Sequence, residues 1–225
     1  MTFVGVVTTL NERQTIYSLV QNLSLVVDYV VVVDGGSTDD TPRVASRAGA
    51  LVMQQSEQKP IAHCLLQGWR RALLMGADII IQLDAGGSHD PASSRRLTWS
   101  ILEVKADIVV GSRFLPESKY VDGSRGRRAG SRLAARLCSA ATSTRLSDWT
   151  SGYGGFNRRA IELLLEQKYT ASMHGWQIEV LGRALDLGLR VKEEPITYTA
   201  GRSSFNTSIA REAYRVWSNL HGVRR

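Results

Sequence analysis

Cysteine and long apolar runs are scarce in this sequence, and each shortage excludes a class of protein. The two cysteines of the 225 residues, Cys64 and Cys138, lie too far apart for a disulfide framework or for closely spaced zinc ligands, so we expect buried free thiols. Apolar stretches such as 25–33 are far shorter than the roughly 20 residues that cross a bilayer, and no signal-peptide pattern opens the chain. We therefore expect no transmembrane segment and a cytoplasmic protein, and peripheral contact with a membrane stays open.

The composition is that of one globular domain with an uneven distribution of charge. Hydrophobic residues make up 43% and charged residues 22%, which suits a single domain over 1–225. The net charge is +7, yet residues 1–90 hold only six of the 28 Lys and Arg and nine of the 21 Asp and Glu. Most of the basic charge in the second half is arginine, which binds phosphate bidentately. This pattern indicates either a phosphate-bearing partner or a solvated arginine-rich surface.

Strand and helix patterns alternate through the first half, which is typical of βαβ units and a parallel sheet. Runs of Val and Ile without polar alternation predict strands that are buried on both faces. Asn11, Thr41 with Pro42, and Asp90 with Pro91 are predicted to begin helices. The predicted strands are 3–8, 29–34, 50–53, 79–83 and 108–111, and the predicted helices are 11–22, 61–75 and those that begin at 41 and 90.

The second half is more polar, and its regular elements are predicted with more interruptions. Residues 112–132, "SRFLPESKYVDGSRGRRAGSR", predict a loop that leads into a helix. The glycine-rich stretch "SDWTSGYGGF" predicts irregular structure, and His174 is expected to cap or pack beside the helix that follows it. The helices expected here are 127–141, 158–166, 175–188 and an amphipathic closing helix at 208–220, with one strand at 191–198.

Two predicted strands end in an aspartate followed by glycines, in "VVVVDGGSTDDT" and "IIIQLDAGGSHDP". Asp34 and Asp84 should therefore project from the same edge of one sheet, where ligands bind in open α/β folds. A nucleotide along that edge could meet one aspartate with its base and the other with its diphosphate and a metal. The alternative is that each aspartate only caps the turn that follows it.

The order and spacing of several motifs resemble the family-2 glycosyltransferases of the GT-A fold. The motifs are "TTLNE", "VDGGSTDDT", "LDAGGSHDP", "DIVVGSRF", "SDWTSGYGGFNRRAIE", "GWQIE" and "GRSSFN". Within that family the sequence looks most like the dolichol-phosphate mannose and polyprenyl-phosphate sugar synthases. The resemblance implies a Rossmann-like, three-layer α/β fold with a mostly parallel sheet. It also implies a nucleotide-sugar-binding half, 1–112, and an acceptor-binding half, 113–225.

The resemblance also implies which residues bind the donor nucleotide sugar. Asn11 and Glu12 would lie near the nucleotide, Asp34 would recognise the base, and Asp39 would support the turn beside it. One sequence does not decide between UDP and GDP as the nucleotide. Ser151 would contact the donor, and Gln177 and Glu179 match a stretch that faces the sugar, although Glu179 could equally be a surface residue.

A divalent cation, Mg²⁺ or Mn²⁺, is implied beside the diphosphate. Asp84 would be the first acid of the family's metal-binding Asp-x-Asp motif, but Gly86 stands where the second acid belongs. Ser88 and His89, with Asp90, water and the phosphates, would have to complete the ligand set. This departure from the motif weakens the expectation of metal dependence.

The implied reaction is a single displacement that inverts the anomeric carbon of a hexose. Asp84 and Gln177 would assist it, and Asp148 would act as a base or orient the acceptor, unless Asp148 merely caps its own turn through Thr150 and Ser151. A phosphate acceptor arrives ionised and needs orientation more than proton removal.

The resemblance implies that a cluster of basic and hydroxyl side chains binds the phosphate of a polyprenyl or dolichyl phosphate. An alternative acceptor is a hydroxylated base in DNA, whose backbone the arginines would follow. A non-catalytic nucleotide-binding module is a third possibility, suggested only by Gly86. The implied acceptor residues are Arg113, Arg127, Arg128, Ser131, Arg132, Arg202 and Ser204.

Overall fold

A seven-stranded, mostly parallel sheet organises the protein. The computed structural model describes residues 1–121, 125–142, 144–173 and 175–199. In these ranges the strands are β1 Phe3–Thr9, β2 Tyr29–Asp34, β3 Leu51–Gln54, β4 Ile79–Asp84, β5 Ile108–Ser112, β6 Lys119–Val121, β7 Gly154–Asn157, β8 Val191–Pro195 and β9 Thr197–Thr199. The helices are α1 Ile16–Leu23, α2 Thr41–Arg47, α3 Ile61–Leu74, α4 Ser94–Leu102, α5 Arg125–Thr142, α6 Arg158–Leu165 and α7 Trp176–Asp186.

The sheet has the order β3-β2-β1-β4-β7-β5-β8, and β7 alone among these strands runs antiparallel to its neighbours. The strand β1 pairs in parallel with β2 on one side and with β4 on the other. Thr9 is level with Asp34 and Thr8 is level with Asp84, so both aspartates reach the same edge of the sheet. This confirms that the two motifs share one edge.

Both faces of the sheet are covered, which explains the unbroken Val and Ile runs. Alternate residues along a strand point to opposite faces, and in β2 Val31 and Val33 belong to one buried cluster while Val30 and Val32 belong to the other. The first cluster includes residues of α3, α6 and α7, and the second includes residues of α1, α2 and α4. The layers are therefore helix, sheet and helix, as expected. Cys64 and Cys138 are free and buried in the first cluster, as predicted.

The predicted helix at 11–22 begins too early. Asn11 has a φ of 57°, in the left-handed region, and the helix α1 starts only at Ile16. The Asn11 side chain accepts a hydrogen bond from the Thr38 N–H at 2.9 Å instead of capping the helix. Residues 11–15 therefore form a turn at the edge of the sheet, because their polar groups bind the neighbouring loop.

The prediction of irregular structure at 147–156 is wrong in its second part. Gly154 and Gly155 open β7, which lies between β4 and β5. A Cβ on Gly155 would fall 3.0 Å from Ile101 Cδ1 and 3.3 Å from Ile81 Cδ1, so the glycine admits the close approach of α4. Glycine weakens the strand signal although packing requires it here.

Two smaller differences lie near the end of the described chain. The predicted strand 191–198 is interrupted at Ile196 and becomes β8 and β9, and β9 pairs with the unpredicted strand β6. The other predicted strands and helices agree with the structure to within about two residues at most ends. His174 and the closing helix 208–220 lie outside the described residues. In the described ranges, no helix has the length and apolar character needed to cross a membrane.

Gly68 of α3 allows the helix to pack closely on β1 and β2. A Cβ at this position would lie 2.4 Å from Val6 Cγ1 and 3.1 Å from Val33 Cγ2, and both valines are fully buried. We expect Gly68→Ala to lower the free energy of unfolding by about 1–3 kcal/mol in urea denaturation, because the overpacking outweighs the gain in helix propensity.

Gly130→Ala in α5 is the matched control, because a Cβ there meets nothing within 4 Å. It should leave the stability unchanged or raise it by up to about 1 kcal/mol. Equal effects of the two substitutions would contradict the close packing of α3.

Candidate active site

Asp84 ends β4 at the edge of the sheet, in a space bounded by β1 and the segment before β7. Thr8 Oγ1 donates a hydrogen bond to Asp84 Oδ1 at 3.2 Å. A Cβ on Gly152 would fall 2.5 Å from Asp84 Oδ2, so a larger residue at this position would have to displace the carboxylate. Desolvation raises the pKa of Asp84 to about 6, although the Thr8 hydrogen bond and the charge of Arg113 act to lower it. A cation beside the carboxylate would relieve this cost.

A second carboxylate approaches the glycines that follow Asp84. A Cβ on Gly86 would lie 3.3 Å from Glu12 Oε1. Thr15 Oγ1 donates to the Ala85 carbonyl at 2.8 Å and lies 3.3 Å from Glu12 Oε2, which ties the start of α1 to the loop after β4. Glu12 is half-buried beside the loop 85–87.

The oxygen donors at this edge fit a hard divalent cation. Mg²⁺ and Mn²⁺ favour carboxylate and phosphate oxygens, and Mg²⁺ usually takes few protein ligands. In the part of the chain that the structure describes, no group of three or more His, Cys, Asp or Glu is arranged to hold a metal. Asp84 and Glu12 would therefore need phosphate oxygens and water to complete a coordination shell.

His89 lies in an aromatic cluster. Its ring centre is 5.1 Å from that of Tyr153 and 5.4 Å from that of Tyr198, and Nδ1 has no hydrogen-bond partner among the described residues. Desolvation lowers the pKa of His89 to about 3, so the imidazole is neutral at physiological pH. The Ser88 carbonyl accepts a hydrogen bond from the Thr199 N–H at 2.9 Å. These two residues therefore join β9 to the loop after Asp84, and their predicted contact with a metal stays a prediction.

The Asp34 motif forms a closed turn. The fully buried Asp34 carboxylate accepts hydrogen bonds from Ser37 Oγ at 2.5 Å, the Ser37 N–H at 2.9 Å and the Gly36 N–H at 3.2 Å. Asp39 accepts from the Thr41 N–H at 2.9 Å, at the start of α2, and its support of the Asp34 turn stays a prediction. Asp34 therefore shapes the turn with its carboxylate, which is the capping role considered as the alternative.

A buried ion pair joins the end of β5 to the segment before β7. Arg113 Nε donates to Asp148 Oδ2 and Arg113 Nη2 donates to Asp148 Oδ1, each at 2.7 Å. Both side chains are nearly or fully buried, with 8% and 0% exposed. Desolvation alone would lower the pKa of Arg113, but the charge and hydrogen bonds of Asp148 raise it, so the guanidinium stays cationic.

The carboxylate of Asp148 is fully occupied by this pair and its own turn. Oδ2 also accepts from the Arg113 N–H at 3.1 Å, and Oδ1 accepts from the Thr150 N–H at 3.1 Å. A buried carboxylate with these partners positions Arg113, and the expected role of Asp148 as a base or as an orienting residue stays a prediction. Ser151, expected to bind the donor or to cap with Thr150, donates to the Gly111 carbonyl at 2.6 Å.

Gln177 and Glu179 lie in the first turn of α7 but in different surroundings. Gln177 is half-buried. Glu179 is 3% exposed and accepts hydrogen bonds from the N–H groups of Thr170 at 2.9 Å and Ala171 at 2.7 Å. The expectation that Glu179 faces the sugar is corrected, since this carboxylate holds the segment before α7 instead.

Aromatic rings hold the predicted acceptor arginines together. Phe114 lies under two guanidinium groups, with its ring centre 5.3 Å from the Cζ atoms of both Arg113 and Arg132. Tyr120 stacks near Phe114 and lies 5.3 Å from Arg128 Cζ. This cluster supports a concentrated positive charge. Ser131 is half-buried on the same helix, α5.

Several predicted acceptor residues lie outside what the structure describes, namely the side chain of Arg127 and residues Arg202 and Ser204. Sequence reasoning in turn missed residues that build the site. Gly152 had a signal, since it stands in a glycine-rich run between two motifs. Glu193 had none, yet it accepts from the N–H groups of Ser147 at 2.8 Å and Asp148 at 2.9 Å and so supports the ion pair.

Comparisons with known proteins point to one family. The family described as "Glycosyl transferase family 2" matches residues 6–165. The undecaprenyl-phosphate mannosyltransferase of Micrococcus luteus is 28% identical over 82% of this chain and 78% of its own. The polyprenol monophosphomannose synthase of Mycolicibacterium smegmatis is 27% identical over 92% of this chain and 82% of its own.

A similar fold occurs in solved structures of glucosyl-3-phosphoglycerate synthase from Mycobacterium tuberculosis. One in complex with Mn²⁺, UDP-glucose and phosphoglyceric acid has a TM-score of 0.77 and 23% identity, and covers 98% of this chain and 80% of that one. This likeness shows the GT-A fold, as expected from the sequence.

Asp84→Asn should flatten the pH dependence of stability in EDTA. The folded-state pKa of about 6 exceeds the unfolded value, so the stabilising effect of the protonated form is complete below about pH 4 and is lost as the pH rises through 6. The variant cannot ionise at this position. The difference in unfolding free energy between the variant and wild type should therefore shift in favour of the variant by up to about 3 kcal/mol from pH 3.5 to pH 7. Urea denaturation across this range measures the difference, and parallel pH profiles would contradict the shifted pKa.

Asp148→Asn should lower the free energy of unfolding by about 3–5 kcal/mol, because it leaves the buried guanidinium of Arg113 without a counter-ion. The double variant Arg113→Met/Asp148→Leu should recover most of that loss, since well-packed apolar side chains can replace a buried pair. The control Glu162→Gln breaks an exposed pair with Arg158 and should cost less than about 1 kcal/mol. A loss in the double variant equal to the sum of the losses from its two single substitutions, measured by urea denaturation, would contradict the coupling between Arg113 and Asp148.

Proposed function

The chain belongs to glycosyl transferase family 2, and from this premise we propose that it transfers a hexose from UDP- or GDP-sugar to a polyprenyl or dolichyl phosphate. The reaction proposed is a single displacement with inversion at the anomeric carbon. The observation that carries the proposal is the position of a buried arginine cation, Arg113, at the same edge of the sheet that ends in Asp84. The names of two similar proteins, which refer to undecaprenyl phosphate and polyprenol, support the choice of acceptor.

The donor is proposed to lie along the ends of β1, β2 and β4. Asn11, the Asp34 turn and Asp39 would border the nucleoside, and Gln177 the sugar. The Asn11 and Asp34 contacts fix the backbone of 36–38 at this edge, because Asn11 binds Thr38 and Asp34 binds Gly36 and Ser37. A preformed turn of this kind lowers the entropy cost of binding.

The diphosphate is proposed to lie beside Asp84 with Mg²⁺ or Mn²⁺. Bound there, the ion would supply positive charge to the diphosphate leaving group. Structures of a protein with a similar fold contain Mn²⁺ or Mg²⁺ together with UDP, which supports a divalent ion at this site. The carboxylates of Asp84 and Glu12 would hold it, as their oxygen chemistry fits.

The acceptor phosphate is proposed to meet Arg113, followed by Arg128 and Arg132. Among the described residues the contacts of Arg113 use Nε and Nη2, on Asp148 and on Thr150 Oγ1, so Nη1 remains as a donor to a phosphate. A phosphate monoester is ionised at neutral pH and needs no base to become a nucleophile. This agrees with an Asp148 that orients Arg113 and takes no proton.

The other acceptors considered from the sequence gain no support. The similar proteins named above do not include one described as acting on DNA. The non-catalytic alternative is wrong, because the chain belongs to a family of glycosyl transferases. A lipid phosphate must be reached at a membrane surface, and the exposed Leu133 and Leu137 share the helix α5 with Arg132.

A transfer assay tests the proposal with radiolabelled UDP- and GDP-hexoses, Mg²⁺ or Mn²⁺, and either polyprenyl phosphate or hydroxymethylated duplex DNA. We expect label in the lipid, with the anomeric configuration opposite to that of the donor. Asp84→Ala should reduce transfer by about 100-fold or more, because it removes a charge that acts on the leaving group. Glu162→Gln should leave transfer unchanged. Label only in DNA, or no transfer from any donor to lipid, would contradict the proposal.

A further inference from the structure

Gly86 carries no carboxylate, and nothing in its own conformation requires a glycine. Its φ is not among the positive values found at Gly36, Gly49, Gly76, Gly87 and Gly188, so the backbone at Gly86 accepts any residue. It is also exposed. The missing acid is therefore not explained by backbone strain or by lack of space.

The side chain nearest to the vacant position is itself a carboxylate. A Cβ on Gly86 would have Glu12 Oε1 at 3.3 Å and Glu12 Cδ at 3.9 Å as its neighbours within 4 Å. The carboxylate oxygens of an aspartate lie two bonds beyond its Cβ. Glu12 thus brings an acidic oxygen from the turn after β1 to the neighbourhood that an acid at position 86 would occupy.

Glu12 is held in this position by its surroundings. Its carbonyl accepts from the N–H groups of Thr15 at 3.1 Å and Ile16 at 3.0 Å, which fixes the turn that starts α1. The Thr15 hydroxyl donates to the carbonyl of Ala85, the residue before Gly86, at 2.8 Å and lies 3.3 Å from Glu12 Oε2. The left-handed Asn11, bound to the loop at 37–38, directs the chain so that Glu12 reaches this edge.

We propose that Glu12 is the second acidic ligand of the divalent cation, in place of the acid that Gly86 lacks. The inference rests on the proposed function, in which a cation lies with the diphosphate beside Asp84. Thr8 bonds to Asp84, and the start of α1 bonds to Ala85, so the two carboxylates border the same short loop. An acid from a neighbouring segment thereby replaces one from within the motif.

The proposal makes Glu12 and position 86 exchangeable. Glu12→Gln keeps the size of the side chain and removes its charge. Gly86→Asp restores an acid within the motif, and its Cβ meets only the flexible end of Glu12. The double variant Glu12→Gln/Gly86→Asp therefore has the same number of acids as wild type, in the other arrangement.

The experiment is a titration of Mn²⁺ followed by electron paramagnetic resonance, with the full chain and saturating UDP or GDP. Glu12→Gln should weaken Mn²⁺ binding by about 10-fold or more, and the double variant should recover to within about 3-fold of wild type. Glu162→Gln, on the exposed face of α6, should bind Mn²⁺ as wild type does. Circular dichroism confirms that each variant is folded.

Two results would overturn the proposal. One is unchanged Mn²⁺ affinity in Glu12→Gln, and the other is a loss of nucleotide affinity that is equal with and without Mn²⁺, which would assign Glu12 to the nucleotide. Failure of the proposed function would give a different result. Wild type and the variants would then show the expected Mn²⁺ affinities, but wild type would transfer no sugar to polyprenyl phosphate.

Discussion

The buried ion pair between Arg113 and Asp148 is the interaction on which the arrangement of the site depends. It attaches the segment before β7 to the end of β5, and Glu193 of β8 supports the same segment from behind through the N–H groups of Ser147 and Asp148. Gly152 follows four residues later and lies directly against the Asp84 carboxylate. A charge pair shielded from water is costly unless its geometry is good, and here two hydrogen bonds of 2.7 Å satisfy it.

Negative and positive side chains of the site follow different strands of the sheet. Carboxylates follow β1 and β4, where a cation and a diphosphate are proposed to bind, whereas a guanidinium follows β5, where an acceptor phosphate is proposed. Burial favours a neutral Asp84, since it raises its pKa to about 6, but Asp148 keeps Arg113 charged. A bound cation would therefore stabilise the ionised form of Asp84, while the acceptor side needs no added ion. Such preorganised charges are the main means by which a site stabilises a charged leaving group.

Local signals in the sequence predicted the sheet edge well and its contacts poorly. The Val and Ile runs of β1, β2 and β4 predicted strands because burial on both faces removes polar alternation. β7 was missed because Gly154 and Gly155 are there for packing against α4 and carry no strand propensity. The approach of Glu12 to Gly86 joins residues 74 positions apart, and no spacing rule indicates it. The family motifs identified Asp148 as a residue of the site, but only its burial and its hydrogen bonds to Arg113 show that it positions another side chain.

The central claim is that the ends of β1 and β4 bind the donor diphosphate and its cation. The most direct test is a crystal structure with Mn²⁺ and a nucleoside diphosphate, phased to show the anomalous signal of manganese. The account predicts one manganese peak within coordination distance of Asp84, with the diphosphate beside it and the nucleoside against the turn at 34–37. A nucleotide bound elsewhere, or manganese without contact to Asp84, would contradict it.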